Sequence, residues 1–209
     1  MRKTVFFDLD GTLTDSRAGI IGSLHHALRQ AGKPVPDDDL AWLIGPPIQE
    51  SLASLVGESA REEVFALYRQ RYDEVGWREN VPYDGIHDML AALSARGYSL
   101  HVATAKPRVF AERILEHFEL RPFFDRVFGS ELDGTRTRKD KLLEWAMSDM
   151  TVLGPAVMVG DRRFDVEGAH ASGMRSIGVT WGFGSRQELE DAGAQAIIDA
   201  PAALADVLD

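Results

Sequence analysis

The sequence predicts an α/β protein, a Rossmann-like parallel sheet core with an α-helical cap inserted near its start, and three observations carry that expectation. Short apolar runs recur along the chain, dense in Val, Phe, Leu and Met and without strict alternation, as strands covered on both faces require. Helical patterns separate those runs, and strand–helix alternation builds a parallel sheet through right-handed crossovers. Residues 16–80 break the alternation, holding helix-like segments and no convincing strand.

Taken in order, strands are expected at 4–7, 100–103, 126–128, 156–159, 176–179 and 196–198. Helices are expected at 86–96, 109–117, 141–150, 166–171 and 187–192. The inserted segment offers helices at 18–30, 39–44, 48–55 and 60–75, punctuated by Gly32, Pro34, Pro36, Gly45, Pro46, Pro47 and Gly57. The expected organisation is a core formed by residues 1–15 and 81–209, with a cap at 16–80 placed to act as a lid. Trp42, Tyr68, Tyr72 and Trp77 fall at helical spacings expected to fill the cap interior.

Composition narrows the function. Cysteine is absent, which excludes disulfides, zinc–thiolate sites and thiol catalysis. A formal charge of -10 disfavours nucleic-acid polymers and anionic membranes, which call for basic surfaces, yet leaves room for a small anionic substrate in a cleft. Nothing approaches the ~20 apolar residues of a membrane span. The basic start of the chain leads into an apolar run that stops at Asp8, so no leader is read and a cytoplasmic location is expected.

In open parallel sheets, ligands bind beyond the carboxyl ends of the strands. The residues just past the expected strands are Asp8 and Asp10, then Thr104-Ala105-Lys106, then Gly160-Asp161, while Thr135-Arg136-Thr137-Arg138-Lys139 follows the third. Two carboxylates one residue apart share a face of extended chain, with Leu9 pointing away. Their repulsion, joined by Asp161, calls for a cation, and hard oxygen donors in this number suit Mg²⁺. A carboxylate can also attack phosphorus, a second carboxyl can carry the proton, and a lysine can offset charge on the phosphoryl group. Lys106, Lys139 and Lys141 compete for that last role; Lys139 is preferred because it directly follows the Gly134-Thr135-Arg136 turn and opens a helix.

The set Asp8-Leu9-Asp10-Gly11-Thr12-Leu13-Thr14, Thr104, Lys139 and Gly160-Asp161-Arg162-Arg163-Phe164-Asp165 resembles the four motifs of the haloacid dehalogenase superfamily, over nearly the whole chain and in order. The helical insertion resembles that superfamily's type-1 cap, and the nearest likeness is to phosphoglycolate-phosphatase-like and 5′-nucleotidase-like members. The resemblance implies a Mg²⁺-dependent phosphatase acting on a small phosphorylated metabolite. It implies that Asp8 is the nucleophile and a metal ligand. Asp10 becomes the general acid/base, ligating metal through its backbone carbonyl. Thr104 and the N–H of Ala105 bind phosphate with Lys139, Asp161 is the third metal ligand, and Asp165 supports a metal-bound water or the lysine. Ala105 stands where many phosphoglycolate-phosphatase-like members carry Asn, which turns the expectation away from glycolate and toward nucleotides or broad specificity.

A phosphomutase on the same scaffold is the first alternative, and a non-catalytic binding or regulatory module the alternative of another class. Outside the motifs the plainer readings hold: Gly182-Phe183-Gly184 as a turn, His25-His26 as surface residues, and Arg136 and Arg138 as solvated charge. Arg69 and Arg71 are read as solvated charge or as cations reaching a substrate from the cap.

Overall fold

The computed structural model describes residues 3–37, 39–150 and 155–208. The chain opens with β1 (Thr4–Phe7) and a two-residue strand β2 (Thr14–Asp15), then enters helices α1 (Arg17–Gln30), α2 (Ile48–Val56) and α3 (Glu58–Glu74). It returns through β3 (Val81–Pro82) and continues α4 (Ile86–Ala95), β4 (Ser99–Pro107), α5 (Arg108–His117), β5 (Arg126–Ser130) and α6 (Lys139–Asp149). The remainder runs β6 (Ala156–Gly160), α7 (Arg163–Ala171), β7 (Arg175–Val179), α8 (Arg186–Asp191), β8 (Ala196–Ile198) and α9 (Leu204–Leu208).

Six strands form one parallel sheet in the order β5-β4-β1-β6-β7-β8. The order reverses direction at β1, so the crevice at its carboxyl end is the switch point where such sheets bind ligands. Alternation along the central strands feeds both layers. Val5, Phe7, Val157 and Val159 pack with α4, α5 and α9, whereas Phe6 and Met158 pack with Leu142, Leu143 and Ala146 of α6 and Ala169 of α7. Both sheet faces are therefore dry, which is why the strands read as continuous apolar runs.

All six expected sheet strands are present; β1 and β8 have the expected ends, and the other four run longer. β4 runs to Pro107 instead of stopping at residue 103, and its register with β5 shifts between Thr104 and Pro107. That irregularity lets a strand carry polar Thr104 and Lys106 at its end. α6 starts at Lys139, two residues earlier than the apolar periodicity indicated, because its first turn is charged.

An unexpected antiparallel ribbon pairs Thr14 with Pro82 and Asp15 with Val81, so the chain leaves and re-enters the core side by side. Between these strands the described residues are helical or irregular, and they close an apolar cluster of their own around Leu24, Leu28, Leu52, Val64, Tyr68 and Tyr72. Phe110 of α5 joins that cluster and ties it to the core. The expected helix at 39–44 is a 3-10 turn over Leu40–Leu43, capped by Asp39, whose carboxylate accepts from the N–H of Ala41. Three residues per turn place Leu40 and Leu43 on one buried face and turn Trp42 outward, 45% exposed, against the expectation that it lies in the interior. No helix among the described residues is long and apolar enough to cross a membrane.

Candidate active site

β1 delivers Asp8 to the switch point, where its N–H donates to the carbonyl of Val159 at 2.9 Å. The chain then turns sharply: the N–H groups of Leu13 and Thr14 both donate to the carbonyl of Leu9 at 3.0 Å. Leu9 is buried in the core cluster on the opposite side from the two acids that flank it. Gly11 takes φ 84°, open to glycine, and a Cβ there would overlap the Asp161 carboxylate.

Asp161 arrives from the end of β6, fully buried. Its Oδ1 accepts from Thr12 Oγ1 at 3.0 Å and its Oδ2 from the N–H of Phe183 at 2.8 Å. One turn on, Asp165 accepts from the N–H of Arg162 at 3.1 Å, which caps α7. Lys139 reaches in from the first turn of α6. Its Nζ lies 3.1 Å from Asp8 Oδ1 and 2.7 Å from Asp165 Oδ1, and it donates to the carbonyl of Ala103 at 2.8 Å.

The electrostatics of this cluster are those of buried acids that could hold a cation. Burial pushes the Asp161 carboxyl up to about 8, with the charges of Asp165 and Asp8 adding to it and the bonds from Phe183 and Thr12 opposing it. Asp165 is pushed up to about 6 by burial and Asp8, against the pull of Lys139. Burial drives Lys139 toward neutrality, but Asp165 and Asp8 outweigh it and hold the ammonium above its ordinary range. One ammonium therefore faces three buried acids. Carboxylate oxygens of Asp8, Asp161 and Asp165 lie within 4.8 Å of one another. Hard oxygen donors at that spacing fit a magnesium ion, which favours one or two carboxylates together with water and phosphate oxygens.

Asp10 stands apart from the trio. Its Oδ2 pairs with Lys106 Nζ at 2.9 Å, while its buried Oδ1 has no hydrogen-bond partner. The same ammonium donates to the hydroxyl of Tyr72, on α3, at 2.7 Å. Thr104 Oγ1 accepts from the N–H of Lys106 at 3.2 Å, and Ser130 Oγ donates to the carbonyl of Ala105 at 2.8 Å, which fixes the irregular end of β4.

Asp8, Asp10, Thr104, Ala105 and Lys106 line a cavity of about 380 Å³ whose far wall is the helical insertion. A neighbouring cavity of about 560 Å³ shares Ala105 and Thr137 with it and is lined by Lys139. Asp161 and Asp165 are buried beside Asp8. The structure thus brings every predicted site residue to one sheet edge. Lys141 is not among them: it is exposed and paired with Glu144 at 2.8 Å. Arg71 is also turned away, held within the insertion by Glu79 at 2.7 Å and by Ser23 at 3.0 Å. Arg69 lines the cavity that Asp8 and Asp10 share and donates to the carbonyl of Leu132 at 2.9 Å. Arg136, read as solvated, instead pairs with Glu131 at 2.6 Å and lies over Trp145.

Sequence reasoning missed three contributors. Tyr72 was assigned to packing alone, although its hydroxyl is bonded to Lys106. Thr12 sits inside the first motif, and its hydroxyl, as the donor to Asp161, was the recoverable signal. The segment Gly182-Phe183-Gly184 is more than a turn: it lies against Asp161 so closely that a Cβ on either glycine would overlap Asp161.

The fold and the site define a doubly wound α/β protein with an Asp-x-Asp centre under a helical insertion. Residues 5–179 match the family model of haloacid dehalogenase-like hydrolases, and the chain belongs to that family. It is 46% identical over 183 residues to a Mycobacterium tuberculosis protein named tyrosine-protein kinase PtkA, covering 86% of this chain but spanning only 62% of that relative's length. It is 43% identical over 189 residues to a 5′-nucleotidase of Pseudomonas aeruginosa, covering 88% of this chain and 86% of that one. The crystal structure of a predicted phosphatase from Clostridium acetobutylicum superposes with a TM-score of 0.93 at 39% identity, covering 100% of this chain and 98% of that chain.

Proposed function

We propose that the chain is a Mg²⁺-dependent phosphatase that hydrolyses a small phosphomonoester through an aspartyl-phosphate on Asp8. The observation that carries this reading is Asp8 itself, a buried carboxylate set between Lys139 at 3.1 Å and the acids Asp161 and Asp165, and opening on the cavity that Asp10 and Thr104 also line.

The Thr104 hydroxyl and the Ala105 N–H hold oxygens of the entering phosphate, and Lys139 offsets their charge. Asp8 attacks phosphorus, the bond to the ester oxygen breaks, and Asp10 gives that oxygen a proton. Asp10, now a carboxylate, takes a proton from a water that attacks the aspartyl-phosphate. Inorganic phosphate leaves and Asp8 is restored. Asp8, Asp161 and the Asp10 backbone carbonyl would hold Mg²⁺, which would offset negative charge on the phosphoryl group. Asp165 holds Lys139 in place. Residues 16–80 form the cap over a core of residues 1–15 and 81–209, with the β2–β3 ribbon as its hinge. Arg162 donates to the carbonyl of Ile44, and Arg113 pairs with Asp73 at 2.5 Å, so two core arginines hold the cap down. A cytoplasmic setting suits an enzyme of phosphorylated metabolites.

The mycobacterial relative named as a kinase favours a second reading, in which Asp10 deprotonates an acceptor hydroxyl instead of water; a phosphomutase is the intramolecular form of the same chemistry. Incubation of purified protein with Mg²⁺ and a panel of phosphorylated metabolites separates these. Free phosphate, abolished by EDTA and by Asp8→Asn, is the expected result. An active Asp8→Asn protein sinks the nucleophile assignment, and phosphate found only on a second hydroxyl replaces hydrolysis by transfer.

A further inference from the structure

Phe183 faces two parts of the molecule at once. Its backbone N–H donates to Asp161 Oδ2 at 2.8 Å, while its half-buried ring packs against the apolar cluster of the helical insertion. The backbone on either side of it has no slack. A Cβ on Gly182 would overlap the carbonyl of Gly11, and one on Gly184 would overlap the carbonyl of Asp161. A segment packed this closely transmits a displacement instead of absorbing it, so a shift of the ring reaches the Asp161 carboxylate.

From the insertion's side the ring is met by Arg17, which opens α1 and whose guanidinium lies 5.5 Å from the ring centroid. The same guanidinium pairs with Asp39 Oδ1 at 2.8 Å, and that oxygen also accepts from the N–H of Ala41 at 2.9 Å. Asp39 thereby starts the 3-10 turn Leu40–Leu43, and Ile44 ends it. At Ile44 the path returns to the core, because its carbonyl accepts from Arg162, the residue after Asp161. Gly45 follows so closely that a Cβ there would lie 3.0 Å from Arg162 Cγ. Arg162 is itself fixed by Glu188 of α8 at 2.9 Å. Residues 39–45 therefore form a strap. One end is tied through Arg17 to the donor that holds the Asp161 carboxylate, and the other to Asp161's neighbour in the chain.

Leu43, Ile44 and Gly45 of this strap also line the main cavity. Whatever moves the strap over the cavity is thus shared with Asp161. The links differ in strength. The Arg17–Asp39 pair is exposed on both sides and contributes little by itself. The apolar contact of the Phe183 ring is the link that solvent and salt do not weaken, so the ring is where the connection is expected to be carried.

We propose that Phe183 is a positioning residue for the metal site: its ring, seated against the insertion, sets where its N–H holds Asp161, so that the grip on Mg²⁺ follows the seating of the strap. The inference rests on the metal role given to Asp161 in the phosphatase reading above. Alanine at position 183 keeps the N–H and removes the ring. If the N–H alone held Asp161, that change would leave the metal site as it was; a ring that steers the N–H takes the site with it.

Calorimetric titration of Mg²⁺ into the native protein, Phe183→Ala, Phe183→Tyr and Arg17→Met tests this without any ester. Phe183→Ala is expected to raise the Kd for Mg²⁺ about tenfold, the low end of what disturbing a ligand's supporting partner costs, and Phe183→Tyr to bring it back within about twofold. Arg17 pairs with Asp39 and with no acid of the site, and it is exposed enough that Arg17→Met folds whatever becomes of Phe183→Ala. Losing its positive charge would by charge alone tighten Mg²⁺ binding. The expected result is the opposite, a Kd raised roughly two- to fivefold, the worth of one exposed cation–ring contact. A Kd unchanged in Phe183→Ala overturns the inference, as does one unchanged or lowered in Arg17→Met, or a Phe183→Tyr protein as weak as Phe183→Ala. The expected Kd changes in a protein that hydrolyses no ester uphold the inference and overturn the phosphatase reading. A native protein that binds no Mg²⁺ overturns the inference together with the metal of that reading.

Discussion

Lys106 Nζ lies 2.9 Å from Asp10 Oδ2, so the acid assigned to proton transfer is held by a lysine that also donates to Tyr72 across 2.7 Å. Burial alone would drive this ammonium toward neutrality, but Asp10, with Tyr72 and Tyr68 adding, holds it above the ordinary lysine range. Lys106→Met strands the Asp10 carboxylate in a buried place, which costs about 3–5 kcal/mol. At about 2–4 °C per kcal/mol for a chain this size, the melting temperature should fall by roughly 10 °C. Adding Asp10→Asn removes the stranded charge and should recover at least about half of the loss. Thermal denaturation of the two single variants and the double variant measures this, and strictly additive losses would show that the pair is not coupled.

Asp8, Asp161 and Asp165 predict a metal-linked stability. A ligand bound only to the folded state at a hundred times its Kd adds about 2.7 kcal/mol, so saturating Mg²⁺ should raise the melting temperature by roughly 5–10 °C over an EDTA control. Asp161→Asn should shrink that rise to about 1 °C. In EDTA the variant should melt no lower than the native protein, because its amide removes a buried charge, and burial first, with repulsion from Asp165 and Asp8 adding, is what holds Asp161 up to about 8. An undiminished Mg²⁺ response would place the ion elsewhere.

Gly182 should be as sensitive as an acid. A Cβ there would overlap the carbonyl of Gly11 and the Asp161 side chain, and neither is the free end of a flexible chain. Gly182→Ala must displace either the first turn after β1 or Asp161 itself. Turnover should drop by about 100-fold, since a misplacement of about 1 Å in catalytic geometry costs on that scale. The Mg²⁺-dependent rise in melting temperature should fall with it, while circular dichroism stays native. Native kinetics in Gly182→Ala would mean that the loop backs Asp161 without positioning it.

What could be read in advance followed from periodicity and from residue type at strand ends. Phe6 facing one layer while Val5 and Phe7 face the other makes β1 legible as a run of apolar residues. Asp8 and Asp161 were legible because each stands where a buried strand stops. Thr104 was placed just past the strand because the apolar run ends at Ala103, yet the backbone stays extended to Pro107 through a register shift that no composition encodes. The ribbon joining Thr14–Asp15 to Val81–Pro82 is two residues long, too short for alternation to register. Lys106 and Tyr72 are 34 positions apart, and only the folding of α3 over β4 makes them partners.

His101 predicts an acid limit to stability that is independent of the catalytic acids. It is 2% exposed in β4, its ring 5.2 Å from that of Phe6, with Nε2 3.1 Å from Ser99 Oγ, which itself donates to Asp125 at 2.5 Å. Burial, with Arg126 adding and Asp125 opposing, pushes its pKa down to about 4 from an ordinary 6.5. Above pH 6.5 neither folded nor unfolded chain holds the proton, so His101 contributes no pH dependence there. Between 6.5 and 4 the unfolded chain takes a proton that the folded chain refuses, and stability falls as pH drops, levelling below about 4. The full difference amounts to about 3 kcal/mol. His101→Met removes the titration and keeps an apolar side chain in the layer. Urea denaturation of both proteins from pH 7.5 to 4 should show the native protein losing about 3 kcal/mol more than the variant, while carboxylate contributions cancel between them. A stability gap that stays constant with pH would mean that His101 takes up its proton in the fold as readily as in the open chain.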